Sequence, residues 1–390
     1  MRYVTAGESH GAALTVIVSD VPAGLSISPE LIAVDLERRR SAYGRSNRQQ
    51  YETDTVEFLS GIRFGKTIGS PIALLIGNAR FAENASEMAA FGEVPEGYSF
   101  SSTPRPGHAD LVGALKMATD DCRDVAERAS ARETAARVAA AGVAREFLAA
   151  LGVEIFSYVS SIGDAVFEED DFISCAPDYK PLDIEMSSVR CPDPEASERM
   201  CDAIDRARES GETLGGTFRV VATGLLPGLG GYSAGSDRLT SQLGAAVFSI
   251  PAIKGVAFGL GFEGAQRLGS EYQDRILINR TSGFTRAGNN AGGLEGGMST
   301  GMPLVITAAM KPIPTLRNPL KTVEMETLEE AQAETMRSDI CAVPAAAVVA
   351  ESEVAFVLAR AYLDKFGRDN MTDIKSAIKA YQQRLRTVSH

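Results

Sequence analysis

One stretch of this chain limits its possible folds more than any other. The segment SARETAARVAAAGVAREFLAAL, residues 130–151, is rich in alanine, with apolar residues spaced three and four apart. Alanine loses no side-chain entropy in a helix, and that spacing gathers the apolar groups, so the pattern predicts a helix. The helical pattern extends from Ala109 to Leu151. Its small side chains allow neighbouring elements to approach closely. Hydrophobic residues make up 44% of the 390 and charged residues 23%, the balance of a globular chain able to bury a large core around it.

The rest of the chain mixes strands and helices. Residues 12–20, 54–60, 71–77, 153–161, 216–225 and 303–310 read as strands. A helix is expected from Ser28, an N-cap, with Pro29 at the first helical position. Its end carries Arg38, Arg39 and Arg40, where cations suit the helix dipole. Further helices are expected over 195–209, 236–249, 343–364 and 371–386. Residues 81–104 read as a loop excursion, 164–185 as an acidic, proline-containing stretch, and 255–301 as glycine-dense. The strict strand–helix alternation of a doubly wound sheet is missing, so one large mixed α/β domain over 1–390 is expected.

Charge and cysteine usage exclude several function classes. A net charge of −12 argues against nonspecific nucleic-acid binding. Yet Arg38, Arg39, Arg40, Arg45 and Arg48 lie within eleven positions, a concentration that suits a small anionic ligand. No run of eighteen apolar residues predicts a membrane span, and the first residues lack a signal-peptide core. A cytoplasmic protein is therefore expected. The five cysteines, Cys122, Cys175, Cys191, Cys201 and Cys341, form no C-x-x-C pair, so reduced thiols are expected and no metal site.

Three glycine motifs invite familiar readings. GLGFEG at 259–264 fits a dinucleotide fingerprint, but an apolar helix start does not follow it. SGIRFGKT misses the phosphate-binding loop by one position, leaving Lys66 as a solvated turn residue. GGLEGG at 292–297 is either a plain loop or glycine kept small so that backbone can approach a flat ligand.

Chemistry gathers elsewhere. There are three histidines, and the two internal ones sit in GESHG (His10) and RPGHAD (His108). Histidine moves protons near neutral pH, and arginine forks grip phosphate and carboxylate. Ser130, preceding a helix with free backbone N–H groups, adds an anion site. Together with YGRSNR, GGLEGGM, MKPIPT and RSDICAVPAA, these residues point to an enzyme acting on a small phosphorylated or carboxylated substrate, with two proton-transferring histidines.

Those segments, in that order, resemble the chorismate synthase family along essentially the whole chain. The resemblance implies an α+β fold: a single large β-α-β sandwich with helices between antiparallel sheets. It implies a lyase that removes the 3-phosphate and a C6 hydrogen from 5-enolpyruvylshikimate-3-phosphate by 1,4-anti elimination, giving chorismate. Reduced FMN (FMNH2) is the implied cofactor, lending electron density as phosphate leaves; NADPH enters only indirectly, for flavin reduction. A homotetramer and an external flavin reductase are the implied partners, without nucleic acid or membrane. An inactive flavin-binding paralogue and an enzyme that reduces its own flavin with NADPH are the alternatives.

The resemblance also implies roles. His10 would protonate the departing phosphate, His108 would protonate or steady the flavin near N1 and O2, and Asp339 would manage the proton at N5. Ser130, Ala131, Arg132, Pro251, Ala252, Gly296, Lys311, Pro312, Ile313, Pro314, Thr315 and Arg337 would contact FMN, with Lys311 facing its phosphate. Arg39, Arg45 and Arg48 would meet the substrate, the first two being alternatively assigned to NADPH. Gly7 and Gly11 would keep the backbone small beside the ligands. The chain departs from the family at Pro251, where a polar residue is usual, at Ser46 and Asn47, which replace a glycine pair, and at Glu212, where aspartate is commoner. Residues 45–50 and 81–104 are the candidates for loops that close over the substrate.

Overall fold

Alternating apolar residues build the first sheet. In the computed structural model, which describes residues 1–45, 53–168, 181–279, 283–334 and 339–388, Leu14, Val16 and Val18 are buried on one side of a strand whose Ile17 faces outward. This strand, β2 (Ala13–Ser19), follows β1 (Arg2–Ala6) and precedes α1 (Pro29–Arg40). β3 (Val56–Phe58) and β4 (Ile72–Gly77) complete an antiparallel sheet in the order β1–β2–β4–β3. Ser28 caps α1 as expected, its Oγ accepting from the Leu31 N–H at 3.3 Å.

The helical region expected over 109–151 is broken into pieces. They are α2 (Asp110–Met117), α3 (Cys122–Ala129), a 3-10 turn over Ala131–Glu133, and α4 (Thr134–Ala149). Ala118 ends α2 in a left-handed conformation, and the Asp121 carboxylate caps α3. The break at Ser130 matters most, because it turns the backbone toward the site. Within 81–104 the chain also makes one short helix, Phe81–Asn84.

The second sheet is antiparallel throughout. β5 (Glu154–Ile162) is followed by α5 (Pro194–Ser210), β6 (Gly216–Thr223), α6 (Leu239–Phe248), β7 (Ile253–Phe258) and β8 (Leu304–Met310). The order is β7–β8–β6–β5, with the two-residue strand Ala165–Val166 at the edge. The chain ends in α7 (Val343–Phe366) and α8 (Met371–Val388).

The two sheets enclose the central helices. α4 packs on the first sheet, α7 packs on β5 and β6 of the second, and the two helices pack on each other with α1 against both. The alanines of α4 make this possible: Ala135, Ala136, Ala139, Ala140, Ala141 and Ala144 are buried in the contiguous core. Gly142 marks the closest approach, since a Cβ there would lie 2.3 Å from Ile32 Cγ1 on α1.

α7 is buried nearly all round, yet it carries two carboxylates inward. Such charges need partners. Glu351 receives a bidentate pair from Arg38 (2.8 and 2.9 Å), Arg145 at 2.7 Å, Arg190 at 3.3 Å and the Ser157 hydroxyl at 2.6 Å. Burial alone would raise its pKa, but the arginines hold it down at about 2. Glu353 accepts from the Tyr3 hydroxyl at 2.6 Å and from Arg137 at 3.2 Å. These pairs tie α1, α4 and β5 to α7 and so fix the end of α1 that carries Arg39.

The glycine motifs find structural explanations. Gly259 follows β7, but a Cβ there would lie 2.1 Å from the Asn290 carbonyl oxygen, and one at Gly292 would lie 2.2 Å from Gly259 N. The two loops are small because they cross each other, which removes the need for a dinucleotide. Lys66 is exposed on a tight hairpin pairing Ile62–Arg63 with Lys66–Thr67. Cys122, Cys191, Cys201 and Cys341 are free thiols; Cys175 lies outside the described residues.

Candidate active site

Where the sandwich opens, several loop and helix ends converge. The β1–β2 turn brings Ser9 and His10. The end of α1 brings Arg39, the end of α3 brings Glu127 and Arg128, and the 3-10 turn brings Ala131 and Arg132. Pro251 and Ala252 arrive just before β7, Lys311, Ile313, Pro314 and Thr315 just after β8, and Asp339 just before α7. These segments line a cavity of about 720 Å³, within the ~300–1,000 Å³ of small-molecule sites. Eight lysine and arginine side chains face three carboxylates in it, an excess of positive charge on a chain whose net charge is −12.

Both histidines are held by carboxylates. His10 Nδ1 lies 2.6 Å from Glu127 Oε1, and the His10 backbone N–H donates to Glu127 Oε2 at 2.7 Å. His108, in the turn before α2, has Nδ1 against Asp110 Oδ1. Asp110 also receives a fork from Arg105, at 2.7 Å from Nε and 3.1 Å from Nη2. Burial works against its ionisation, but His108 and Arg105 hold the carboxyl well below the usual range.

The arginines form a graded cluster. Asp54, almost fully buried, accepts from Arg39 Nη2 at 3.0 Å and from Arg132 Nη1. Burial, with Arg45 and Arg132 nearby, brings the Arg39 pKa down to about 10. Arg45 donates to Asp339 Oδ2 at 2.5 Å. The Nε groups of Arg39 and Arg45 are buried and have no hydrogen-bond partner among the described residues. A buried donor left in that state costs free energy, which an anion entering the cavity would recover.

The flavin and substrate suggested by the sequence suit this lining. Buried cations and orphaned N–H groups suit phosphate and carboxylate, while Ala131, Ala252, Pro251 and Pro314 offer flat apolar surface. Ser130 Oγ accepts from the Arg132 N–H at 3.3 Å and donates to Ser9 Oγ at 3.1 Å. Lys311 Nζ donates to the Gly107 carbonyl at 2.6 Å, and its N–H donates to the Ala252 carbonyl at 3.0 Å.

Of the residues singled out in the sequence, His10, His108, Asp339, Arg39, Arg45, Ser130, Ala131, Arg132, Pro251, Ala252, Lys311, Ile313, Pro314 and Thr315 line this one cavity. Pro312 is not in its lining, and neither is Gly296, which sits on the hairpin Leu294–Ser299. Arg48 and Arg337 lie outside the described residues, as do Ser46 and Asn47. The role expected for Gly7 is corrected. With φ +109°, a Cβ there would lie 2.4 Å from the Ala13 carbonyl oxygen, so it is small for its own hairpin.

Sequence reasoning passed over Asp54, Glu127, Asp110 and Asn78, which hold the lining side chains. Asp110 stood inside a quoted motif, RPGHAD, and Glu127 lies three residues before Ser130. Asp54 and Asn78 carried no local signal.

The family model for chorismate synthase matches residues 1–363. A chorismate synthase of Desulforudis audaxviator (strain MP104C) is 49% identical, covering 99% of this chain and 98% of the relative. One of Rubrobacter xylanophilus is 50% identical, covering 98% and 97%. A crystal structure of chorismate synthase superposes with a TM-score of 0.81 at 39% identity, covering 99% of this chain and 98% of that one.

Proposed function

The chain belongs to the chorismate synthase family, lyases of the last shikimate-pathway step, and from that premise we propose how its residues do this chemistry. The substrate is 5-enolpyruvylshikimate-3-phosphate, which loses its 3-phosphate and a C6 hydrogen to give chorismate. The family implies a reduced flavin, and we assign it as FMN. When bound, it would supply electron density as phosphate departs and regain it as the C6 hydrogen leaves, which side chains alone do poorly.

The substrate carries one phosphate and two carboxylates. Arg39 and Arg45, with Arg48, grip these anions, the first two through buried N–H groups that lack an acceptor among the described residues. His10 gives a proton to the departing phosphate, whose charge grows in the transition state. His108 would protonate or steady the flavin near N1 and O2, and Asp339, paired with Arg45, would manage the proton at N5. Ser130, Ala131 and Arg132, Pro251 and Ala252, Gly296, Lys311 through Thr315, and Arg337 hold the FMN. Pro251 contributes surface only, since it has no polar side-chain atom. A homotetramer, a cytoplasmic location and reduction of the flavin by a separate NADPH-dependent reductase complete the proposal. The family assignment lends no support to an inactive paralogue or to a chain that reduces its own flavin.

One observation carries the reading: His10, His108 and Asp339 share a single cavity with an excess of cations. Replacing His10 by alanine tests it. Turnover should fall about 10²–10⁴-fold, the range of general acid catalysis, with FMN affinity retained. Unchanged turnover would remove the role assigned to His10.

A further inference from the structure

We propose that Glu127 is a positioning residue for His10, fixing which ring nitrogen addresses the ligand. This rests on His10 being the proton donor. Glu127 lies on the last turn of α3 and is 9% exposed. It holds the β1–β2 turn at three points. Its carbonyl accepts from the Ser9 N–H at 3.1 Å, and its carboxylate divides between the His10 N–H at 2.7 Å and His10 Nδ1 at 2.6 Å. One carboxylate therefore sets both the backbone and the ring.

The consequence is chemical as well as geometric. A carboxylate against Nδ1 keeps a proton there, so the second proton of the imidazolium sits on Nε2. That proton is the one available to a phosphate oxygen in the cavity. After transfer, the ring is neutral with Nδ1–H still on Glu127, and one proton returns to Nε2 once products leave. The logic is that of a carboxylate orienting a catalytic histidine.

A second cavity, about 220 Å³, supports this reading. His10, Glu127, Arg105 and Ala126 line both cavities, so the pair forms part of the wall between them. The far side is bounded by Glu87, Arg123 and Glu334. Arg105 lines both cavities with the pair, and Arg128 joins the other cations and carboxylates of the first. A polar space of that size admits several waters. Asp110, the carboxylate on His108, is also gripped by Arg105.

The test uses the full chain labelled at its histidine ring nitrogens. Three histidines give three sets of signals, and His10→Ala identifies one. The neutral His10 ring should carry its proton on Nδ1, and Glu127→Gln should lose that fixed tautomer while His108 is unchanged. Turnover with reduced FMN should fall about 10–100-fold with KM changed less than about threefold. Glu127→Gln added to His10→Ala should cost nothing more. Glu127→Asp, one methylene shorter with the charge kept, should keep the Nδ1–H tautomer while kcat drops; it carries the test if the glutamine variant does not fold. An unchanged His10 tautomer in Glu127→Gln, or a further loss in the double variant, overturns the proposal. If His10→Ala is fully active, the assignment of His10 has failed instead.

Discussion

Asp54→Asn isolates what the buried carboxylate does for the cavity arginines. The side chains of Asp54, Arg39 and Arg132 are 1%, 3% and 5% exposed, so water cannot replace a lost partner. Burial pushes the Asp54 pKa up, but the two arginines outweigh it and hold the carboxyl below its usual range. The amide is nearly isosteric and removes the charge alone. Breaking a buried pair from one side costs about 3–5 kcal/mol. The amide oxygen still accepts one N–H, so the lower end applies, about 3 kcal/mol. For 390 residues the unfolding entropy is about 0.8 kcal/mol/K, and the expected drop in Tm is about 4 °C. Thermal unfolding followed by circular dichroism measures it, with and without inorganic phosphate. Phosphate should return part of the deficit in the variant and do less for the parent, because the variant has lost the negative charge that Arg39 and Arg132 share. Unchanged Tm, or equal phosphate stabilisation of both proteins, would refute the reasoning.

Three further outcomes follow from the same structure. Glu351 is held at about 2 against an ordinary 4.5, so its contribution is fully present above about pH 4.5 and is lost as pH falls toward 2. Unfolding free energies from urea titrations across that window should decline by about 3 kcal/mol more in the parent than in Glu351→Gln, and parallel declines would contradict the assignment. Gly142→Ala gains about 1 kcal/mol of helix propensity but drives a Cβ to 2.3 Å from Ile32, so a net loss of about 1–2 kcal/mol is expected, partly restored by Ile32→Ala. A stabilised Gly142→Ala would mean that α1 yields without cost. Lys311→Ala should weaken FMN about 10–100-fold and riboflavin hardly at all, measured by flavin fluorescence; equal losses would place Lys311 away from the phosphate.

The sequence made legible whatever repeats locally. The period of α4, the Ser28 cap and the strands β2, β4 and β8 follow from residues within a few positions of each other. β1 was passed over, since its five residues alternate only between half-buried and exposed positions and carry no strong apolar face. The break after α2 was hidden because alanine, not glycine, takes the left-handed position at 118. In the site, histidines and arginines stood out by rarity and clustering, whereas their holders did not. Asp54 meets Arg39 across 15 positions and Arg132 across 78, and Glu127 meets His10 across 117. Such pairs exist only once α1, α3 and the 3-10 turn have docked, so no window of sequence contains them.

The central claim is that this cavity turns 5-enolpyruvylshikimate-3-phosphate into chorismate with reduced FMN. Anaerobic turnover of the purified chain, with chemically reduced FMN and no NADPH, measures it through the absorbance of chorismate. The account predicts chorismate and phosphate in equal amounts, with no net consumption of reduced flavin. No chorismate from folded protein with the flavin bound would contradict it.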